Sequence, residues 1–111
     1  MSENERRKAL NEVVFREVNE RIKSLQSSFA VAEHQPLNIV CECDRLDCAE
    51  QIQVSVETYE RVRSDSALFL VRPGHEDDSV EDVIDTGGNY MIVRKRPGDP
   101  QHIAEQTDPR S

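Results

Sequence analysis

The sequence is poor in the residues that build a large apolar core. It has no tryptophan among its 111 residues, aromatic side chains make up 5%, and the whole apolar class reaches 36%. A domain with so small a core often needs a further cross-link, such as a disulfide or a bound metal ion. The cysteines and histidines are therefore the residues to inspect for such a cross-link.

Long apolar segments are also missing. Because no run of eighteen apolar residues is present, we expect no helix that spans a membrane. The first ten residues, MSENERRKAL, lack the apolar stretch of a secretory signal peptide. We therefore expect a cytoplasmic protein.

Basic residues are in the minority, since 14 Lys and Arg stand against 22 Asp and Glu, for a formal net charge of −8. The imbalance lies in residues 26–93, which hold fourteen acidic and four basic residues. Nucleic acids and anionic membranes attract basic proteins, so we expect neither as a partner. An acidic body instead predicts a protein partner that has a basic surface.

Residues 1–29 are predicted to form an amphipathic helix. Apolar side chains recur every three or four residues, which is the spacing of one helical stripe, at Leu10, Val14, Val18, Ile22, Leu25 and Phe29. The pairs Glu12–Arg16 and Glu17–Arg21 are four residues apart, as on a solvated face. We expect the stripe to pack on the rest of the domain. The alternative is that it binds a partner or forms a homodimer.

Residues 30–96 are predicted to form a small domain, which makes the fold class α+β. Four apolar or alternating runs predict a mostly antiparallel sheet of about four strands, at 37–41, 51–55, 67–71 and 90–95. One short helix is predicted at 56–64 with Ser55 as its N-cap, and a second is predicted to begin at Ser79. Residues 97–111 are rich in Pro, Gly, Asp and Gln, and we expect a disordered tail.

Three cysteines fall within eight residues, in the order Cys41-x-Cys43-x4-Cys48. Disulfides are rare in a reducing cytoplasm, and an odd number of cysteines leaves one thiol over. Thiolates are soft donors that suit Zn²⁺, and structural zinc sites use four protein ligands. The motif therefore predicts a zinc knuckle. The alternatives are reduced thiols that bind no ligand, a redox switch, or an iron–sulfur site.

The fourth ligand has several candidates, which are His34, His75, His102, Asp44 and Asp47. We favour His75 because Pro73 and Gly74 fix a turn directly before it, which holds the imidazole at low entropic cost. His34 stays open as an alternative, since it precedes the first cysteine by seven residues. Acidic residues around the motif, Glu42 among them, are expected to favour a bound cation. The predicted ligand set is Cys41, Cys43, Cys48 and His75.

Several strings, taken in order, resemble a family of small uncharacterised actinobacterial proteins. These strings are FREVNERI (15–22), CEC-x4-C, VSVETYERVR (54–63), FLV-x-PGH and Y-x-IV-x-K. The resemblance spans roughly residues 12–95, and it implies that the cysteines and the Pro-Gly-His turn belong to one site. It implies no particular activity. The family pattern has a small residue where Asp44 stands, which implies a different turn in the knuckle.

These observations predict a non-catalytic, zinc-stabilised protein that binds another protein and acts as a regulator. One alternative is a zinc-dependent enzyme in which water takes the fourth position on the metal. A second alternative is a regulator that binds nucleic acid through its zinc knuckle, which the negative charge disfavours.

Overall fold

The computed structural model describes residues 3–28, 36–45 and 48–110. Along the chain, the elements are α1 (Glu3–Ser28), β1 (Leu37–Val40), β2 (Gln51–Val54), α2 (Val56–Arg63), β3 (Leu68–Val71), β4 (Glu81–Thr86), β5 (Met91–Lys95) and α3 (Asp99–Gln106). The predicted α+β class is confirmed. The strands differ in number and arrangement from the prediction, since five strands form two antiparallel sheets.

The first sheet is a hairpin in which β1 pairs with β2, with Leu37 opposite Val54 and Val40 opposite Gln51. Polar and apolar side chains alternate along both strands, so one face packs inward and the other meets water. The second sheet has the strand order β3-β5-β4. All four residues of β3 are buried, as its continuous apolar sequence predicts. The core lies between these sheets and α2, which contributes the fully buried Tyr59 and Val62.

Helix α2 begins at Val56 as predicted and ends at Arg63, one residue before the predicted end. The Ser55 hydroxyl accepts a hydrogen bond from the Thr58 amide at 3.1 Å, which confirms the predicted N-cap. Among the described helices, none combines the length and the apolar character needed to cross a membrane.

Helix α1 has the predicted bounds, but the face that packs on the body is not the predicted one. Leu10, Val14 and Leu25 are 55%, 55% and 58% exposed, whereas Glu12, Arg16 and Asn19 are buried. Of the apolar stripe, Ile22 packs against the core, and Phe29 lies outside the described residues. The prediction that the apolar stripe packs on the domain and the Glu12–Arg16 pair faces solvent was therefore wrong for these residues.

Charged and polar partners on the body explain this reversed orientation. The Lys95 ammonium group binds both carboxylate oxygens of Glu12, at 2.7 and 2.6 Å, and also binds Glu81 at 2.8 Å. The Arg16 guanidinium lies over the Phe69 ring, 4.7 Å from its centroid. It donates hydrogen bonds to the carbonyls of Ser66 and Ala104, at 2.8 Å each. These partners offset much of the cost of removing the charges from water, so the polar face can pack inward.

The short helix predicted to begin at Ser79 is instead strand β4. Glu81 stands opposite Lys95 in the ladder with β5, and Val83 stands opposite Val93. The local capping signal is used in another way, because Asp77 accepts hydrogen bonds from the amide and the hydroxyl of Ser79. Pairing with β5 and the Glu81–Lys95 ion pair outweigh the weak local helix signal.

The tail predicted to be disordered contains helix α3, so that prediction is corrected for residues 99–106. Pro100 lies in the first turn, where a missing amide hydrogen costs little. Ala104 is buried, and its carbonyl accepts the hydrogen bond from Arg16 on α1. The C-terminal segment is thus fixed by polar contacts with α1, which its low apolar content did not reveal.

Candidate metal centre

The three cysteines follow directly from the β1–β2 hairpin. Cys41 comes immediately after β1, and its amide donates to the Glu50 carbonyl at 2.9 Å, which extends the hairpin by one pair. Cys41 and Cys43 are buried, while Cys48 is partly exposed. The three thiols therefore lie together in the loop that connects the two strands of the hairpin.

Glu42 lies between two of the cysteines and anchors the knuckle to the body. Its amide donates to the Leu70 carbonyl at 2.8 Å, and the Leu70 amide donates back to its carboxylate at 3.0 Å. Arg63 binds the same carboxylate through two nitrogens, at 3.0 and 2.7 Å, and the Asn19 amide group donates to it at 2.7 Å. Because successive side chains of an extended segment point to opposite sides, burying Glu42 turns its cysteine neighbours the other way.

The first helix also holds the knuckle. The Asn11 side chain donates to the carbonyls of Cys43 and Arg45, at 3.3 and 3.0 Å. Asn19 donates to the Val40 carbonyl and accepts from the Val40 amide, both at 2.8 Å, as a neighbouring strand would. These contacts fix the backbone on both sides of Cys41 and Cys43.

His75 reaches the cysteines from a tight turn after β3. The His75 amide donates to the Arg72 carbonyl at 2.9 Å, with Pro73 and Gly74 at the two central positions. Gly74 has a φ of 89°, which identifies a type II turn and requires a residue that tolerates positive φ. The Arg45 guanidinium donates to the Gly74 carbonyl at 2.9 Å, so the knuckle and the turn are also joined by a hydrogen bond.

Four donor atoms converge at this point. The ligand atoms of Cys41, Cys43, Cys48 and His75 all lie within 4.8 Å of one another. His75 Nδ1 is 3.6 Å from the sulfurs of both Cys41 and Cys48. A sulfur and a nitrogen bound tetrahedrally to one zinc ion, at about 2.3 and about 2.1 Å, are about 3.6 Å apart. The observed spacing is therefore that of ligands around a metal ion.

Hydrogen bonds among the thiols change how readily each one loses its proton. Hydrogen bonding with Cys43, together with burial, raises the pKa of Cys41. The same hydrogen bond, donated by the Cys41 thiol, lowers the pKa of Cys43 to about 5. Burial raises the pKa of Cys48. The cluster thus stabilises one thiolate at the expense of the others, and a divalent cation would stabilise all three.

Backbone amides complete the surroundings of the sulfurs. The Arg72 amide donates to Cys41 Sγ at 3.2 Å, and backbone hydrogen bonds from Arg45 and Glu50 favour the thiolates of Cys43 and Cys48. Such amide donors stabilise negative charge on sulfur without competing for the metal position. These hydrogen bonds thus favour the thiolate form, which is the form that binds a metal ion.

The structure brings together the four residues of the predicted ligand set. Among the other candidates for the fourth ligand, His102 is exposed on α3, and Asp44 is not one of the four converging residues. His34 and Asp47 lie outside the described residues. Glu42 was expected to favour a cation at the metal centre. Its carboxylate is instead bound by Arg63.

Sequence reasoning missed the residues that position the site, namely Asn11, Asn19, Glu42 and Arg63. Three of them are polar residues of the first helix or of α2, where an exposed position is the usual expectation. Glu42 gave one signal, since a single acidic residue enclosed by two buried cysteines must itself be buried or turn the chain.

No protein-family model, no curated protein and no solved structure matches this chain.

Proposed function

We propose that the protein is a non-catalytic, zinc-stabilised interaction protein that acts as a regulator by binding another protein. The observation that carries the proposal is the convergence of three cysteine sulfurs and one histidine nitrogen within 4.8 Å. The remaining steps concern which metal binds, whether it is structural, and what kind of partner the surface suits.

Zinc suits this donor set better than the other common metals. Three thiolates and one imidazole are soft and borderline donors, which disfavours Mg²⁺ and Ca²⁺ because both prefer oxygen ligands. An iron–sulfur cluster is usually held by four thiolates, and the described residues bring three to this point. A tetrahedral zinc ion takes exactly four ligands of these types in structural sites.

A structural role follows from the number of ligands. Four protein donors would fill a tetrahedral shell, whereas catalytic zinc keeps one position for water or substrate. The metal would then join the knuckle at 41–48 to the turn at 72–75. A link across this interval restricts the unfolded chain and adds the free energy of metal binding to folding.

The net charge supports a protein partner that has a basic surface. With a net charge of −8, the chain would attract such a partner and repel nucleic acid. The three cysteines form no disulfide, which fits the reducing cytoplasm that we propose as its location.

Metal content is the first test. We expect the purified chain to carry one zinc ion by native mass spectrometry and elemental analysis. Cys43→Ser and His75→Ala should reduce bound zinc, because each removes a ligand, while His102→Ala should leave it unchanged, because His102 is exposed on α3. Full zinc occupancy in the Cys43→Ser and His75→Ala variants would refute the ligand assignment.

The catalytic alternative is tested with cobalt in place of zinc. A closed site with three sulfurs and one nitrogen should give a tetrahedral Co²⁺ spectrum that does not change when azide or cyanate is added. A spectral change on adding these anions would reveal an open position and favour a zinc-dependent enzyme. Tight, salt-dependent DNA binding would instead favour the nucleic-acid alternative.

A further inference from the structure

The outward face of α1 carries more apolar surface than a helix in water normally shows. Leu10, Val14, Val18 and Leu25 are 55%, 55%, 39% and 58% exposed. They lie on one side of the helix, at spacings of four, four and seven residues. An apolar stripe of this kind on a folded protein commonly marks an interface.

The polar contacts beneath α1 fix this stripe on the outside. Glu12, Arg16 and Asn19 are each buried with partners on the body. Turning the helix to hide the stripe would break these contacts and leave several charges unpaired, at a large cost. The helix therefore presents its apolar face outward in the stable fold, and the described residues leave that face exposed.

The charges on this face suit a second copy of the helix in one orientation. Glu17 and Arg21, both exposed, lie on the same outward face. Two parallel copies of the helix would place Glu17 against Glu17 and Arg21 against Arg21. Two antiparallel copies, related by a two-fold axis level with residue 19, would place each Glu17 against the Arg21 of the other copy. The same operation puts Val14 level with the smaller Ser24 of the second copy.

We propose that α1 forms an antiparallel, two-fold symmetric homodimer through the face that carries Leu10, Val14, Glu17, Val18, Arg21 and Leu25. In such an isologous contact every residue pairing occurs twice, so the two Glu17–Arg21 pairs form together. The segment 1–25 holds six basic and five acidic residues, so two acidic chains meet where their mutual repulsion is smallest. The dimer goes beyond the proposed function, since the second copy is not the basic partner proposed above, and it does not require zinc at the metal centre.

The dimer would be modest in affinity. One helix face offers less surface than the interfaces of permanent dimers, so we expect dissociation within the micromolar range rather than below it. Sedimentation equilibrium across a wide protein concentration range is the suitable measurement. The full chain should pass from monomer to dimer, and no larger species should form because the contact is closed.

Charge reversal gives the sharpest test. Glu17→Arg should raise the dissociation constant by about tenfold, because it sets two arginines against each other twice. The double variant E17R/R21E should restore the original constant to within about threefold, since the pairs are re-formed with reversed sign. Glu57→Arg, which makes the same charge change at an exposed position on α2, is the matched control. It should not weaken the dimer.

Val14→Asp tests the apolar part of the face and should leave a folded monomer, because Val14 is largely exposed in the fold. Circular dichroism of the variant verifies the fold. The proposal is overturned if the unmodified chain stays monomeric up to about 1 mM, or if Val14→Asp dimerises normally. It is equally overturned if the double charge variant fails to recover. A monomer that carries zinc would contradict only the dimer proposal. A dimer without metal would contradict only the zinc assignment.

Discussion

The metal centre and the α1 interface both bury polar side chains, but they neutralise them in different ways. Where α1 packs on the body, Glu12 meets the ammonium group of Lys95, and Arg16 donates hydrogen bonds to the carbonyls of Ser66 and Ala104. At the metal centre, three thiols and an imidazole face one another. The nearby guanidinium groups of Arg45 and Arg72 are directed instead at the Gly74 carbonyl and at Glu50. The four converging donors could therefore hold a metal ion.

Removing the metal should have the largest effect of any change that separates the two regions. The binding free energy of a structural zinc site is about 10–16 kcal/mol, comparable with the whole stability of a small domain. We expect a chelator to lower Tm by more than about 15 °C, measured by circular dichroism. Adding zinc back should restore Tm, and a chelator-resistant Tm would contradict a structural metal.

Breaking the ion pair that anchors the knuckle should come second. Glu42→Gln leaves the buried Arg63 without its charged partner, which should cost about 3–5 kcal/mol in the free energy of unfolding. Urea denaturation measures this loss. Glu57→Gln, at an exposed position on α2, is the control and should change stability little. Equal stability of the two variants would show that Glu42 does not anchor the site.

The cluster of Glu12, Lys95 and Glu81 predicts that the free energy of unfolding depends on pH. Burial raises the pKa of Glu12, Lys95 lowers it and Glu81 adds to the rise, which leaves the pKa at about 8. One ammonium group cannot neutralise two buried carboxylates, so the folded protein holds a proton that the unfolded chain releases near pH 4.5. This contribution to stability is complete below pH 4.5 and is lost as the pH rises through about 8.

Glu12→Gln should remove this dependence, because glutamine cannot ionise and Lys95 keeps its partner Glu81. In the unmodified chain, the free energy of unfolding should fall by up to about 1.4 kcal/mol per pH unit between these two values. Urea denaturation at several pH values measures the slope. Glu17→Gln, on the exposed side of the same helix, should keep the original slope. An unchanged slope in Glu12→Gln would assign the proton elsewhere.

The smallest change in the free energy of unfolding is expected for an exposed ion pair. Arg61 lies 3.3 Å from Asp85, and both side chains are more than half exposed. Arg61→Ala should change the free energy of unfolding by less than about 0.5 kcal/mol, because water already screens the pair. If Arg61→Ala lowered the free energy of unfolding as much as Glu42→Gln, buried and exposed ion pairs would not differ in their contribution to stability.

The sequence could predict those features that depend on neighbouring residues. The bounds of α1, the Ser55 cap, the apolar strand β3 and the Pro73–Gly74 turn all follow from local patterns. The metal centre was predictable for the same reason, because three cysteines lie within eight residues and the turn after β3 presents a histidine. No sequence pattern linked Cys48 to His75. The two were assigned to one site because thiolates and an imidazole are both ligands that suit zinc.

The features that could not be predicted depend on partners far away in the chain. Glu12 is buried because Lys95, 83 residues later, binds it. Residues 99–106 form a helix although few of their side chains are apolar, because Arg16 binds the Ala104 carbonyl. β4 forms beside β5 although its start resembles a helix cap. In each case a buried charge or a distant strand outweighs the local preference, and neither leaves a periodic signal.

X-ray absorption at the zinc edge of the purified chain tests the central claim most directly. Three sulfur neighbours at about 2.3 Å and one nitrogen neighbour at about 2.0–2.1 Å would match the set of Cys41, Cys43, Cys48 and His75. A shell made only of nitrogen and oxygen neighbours, or zinc absent from the folded chain, would contradict it.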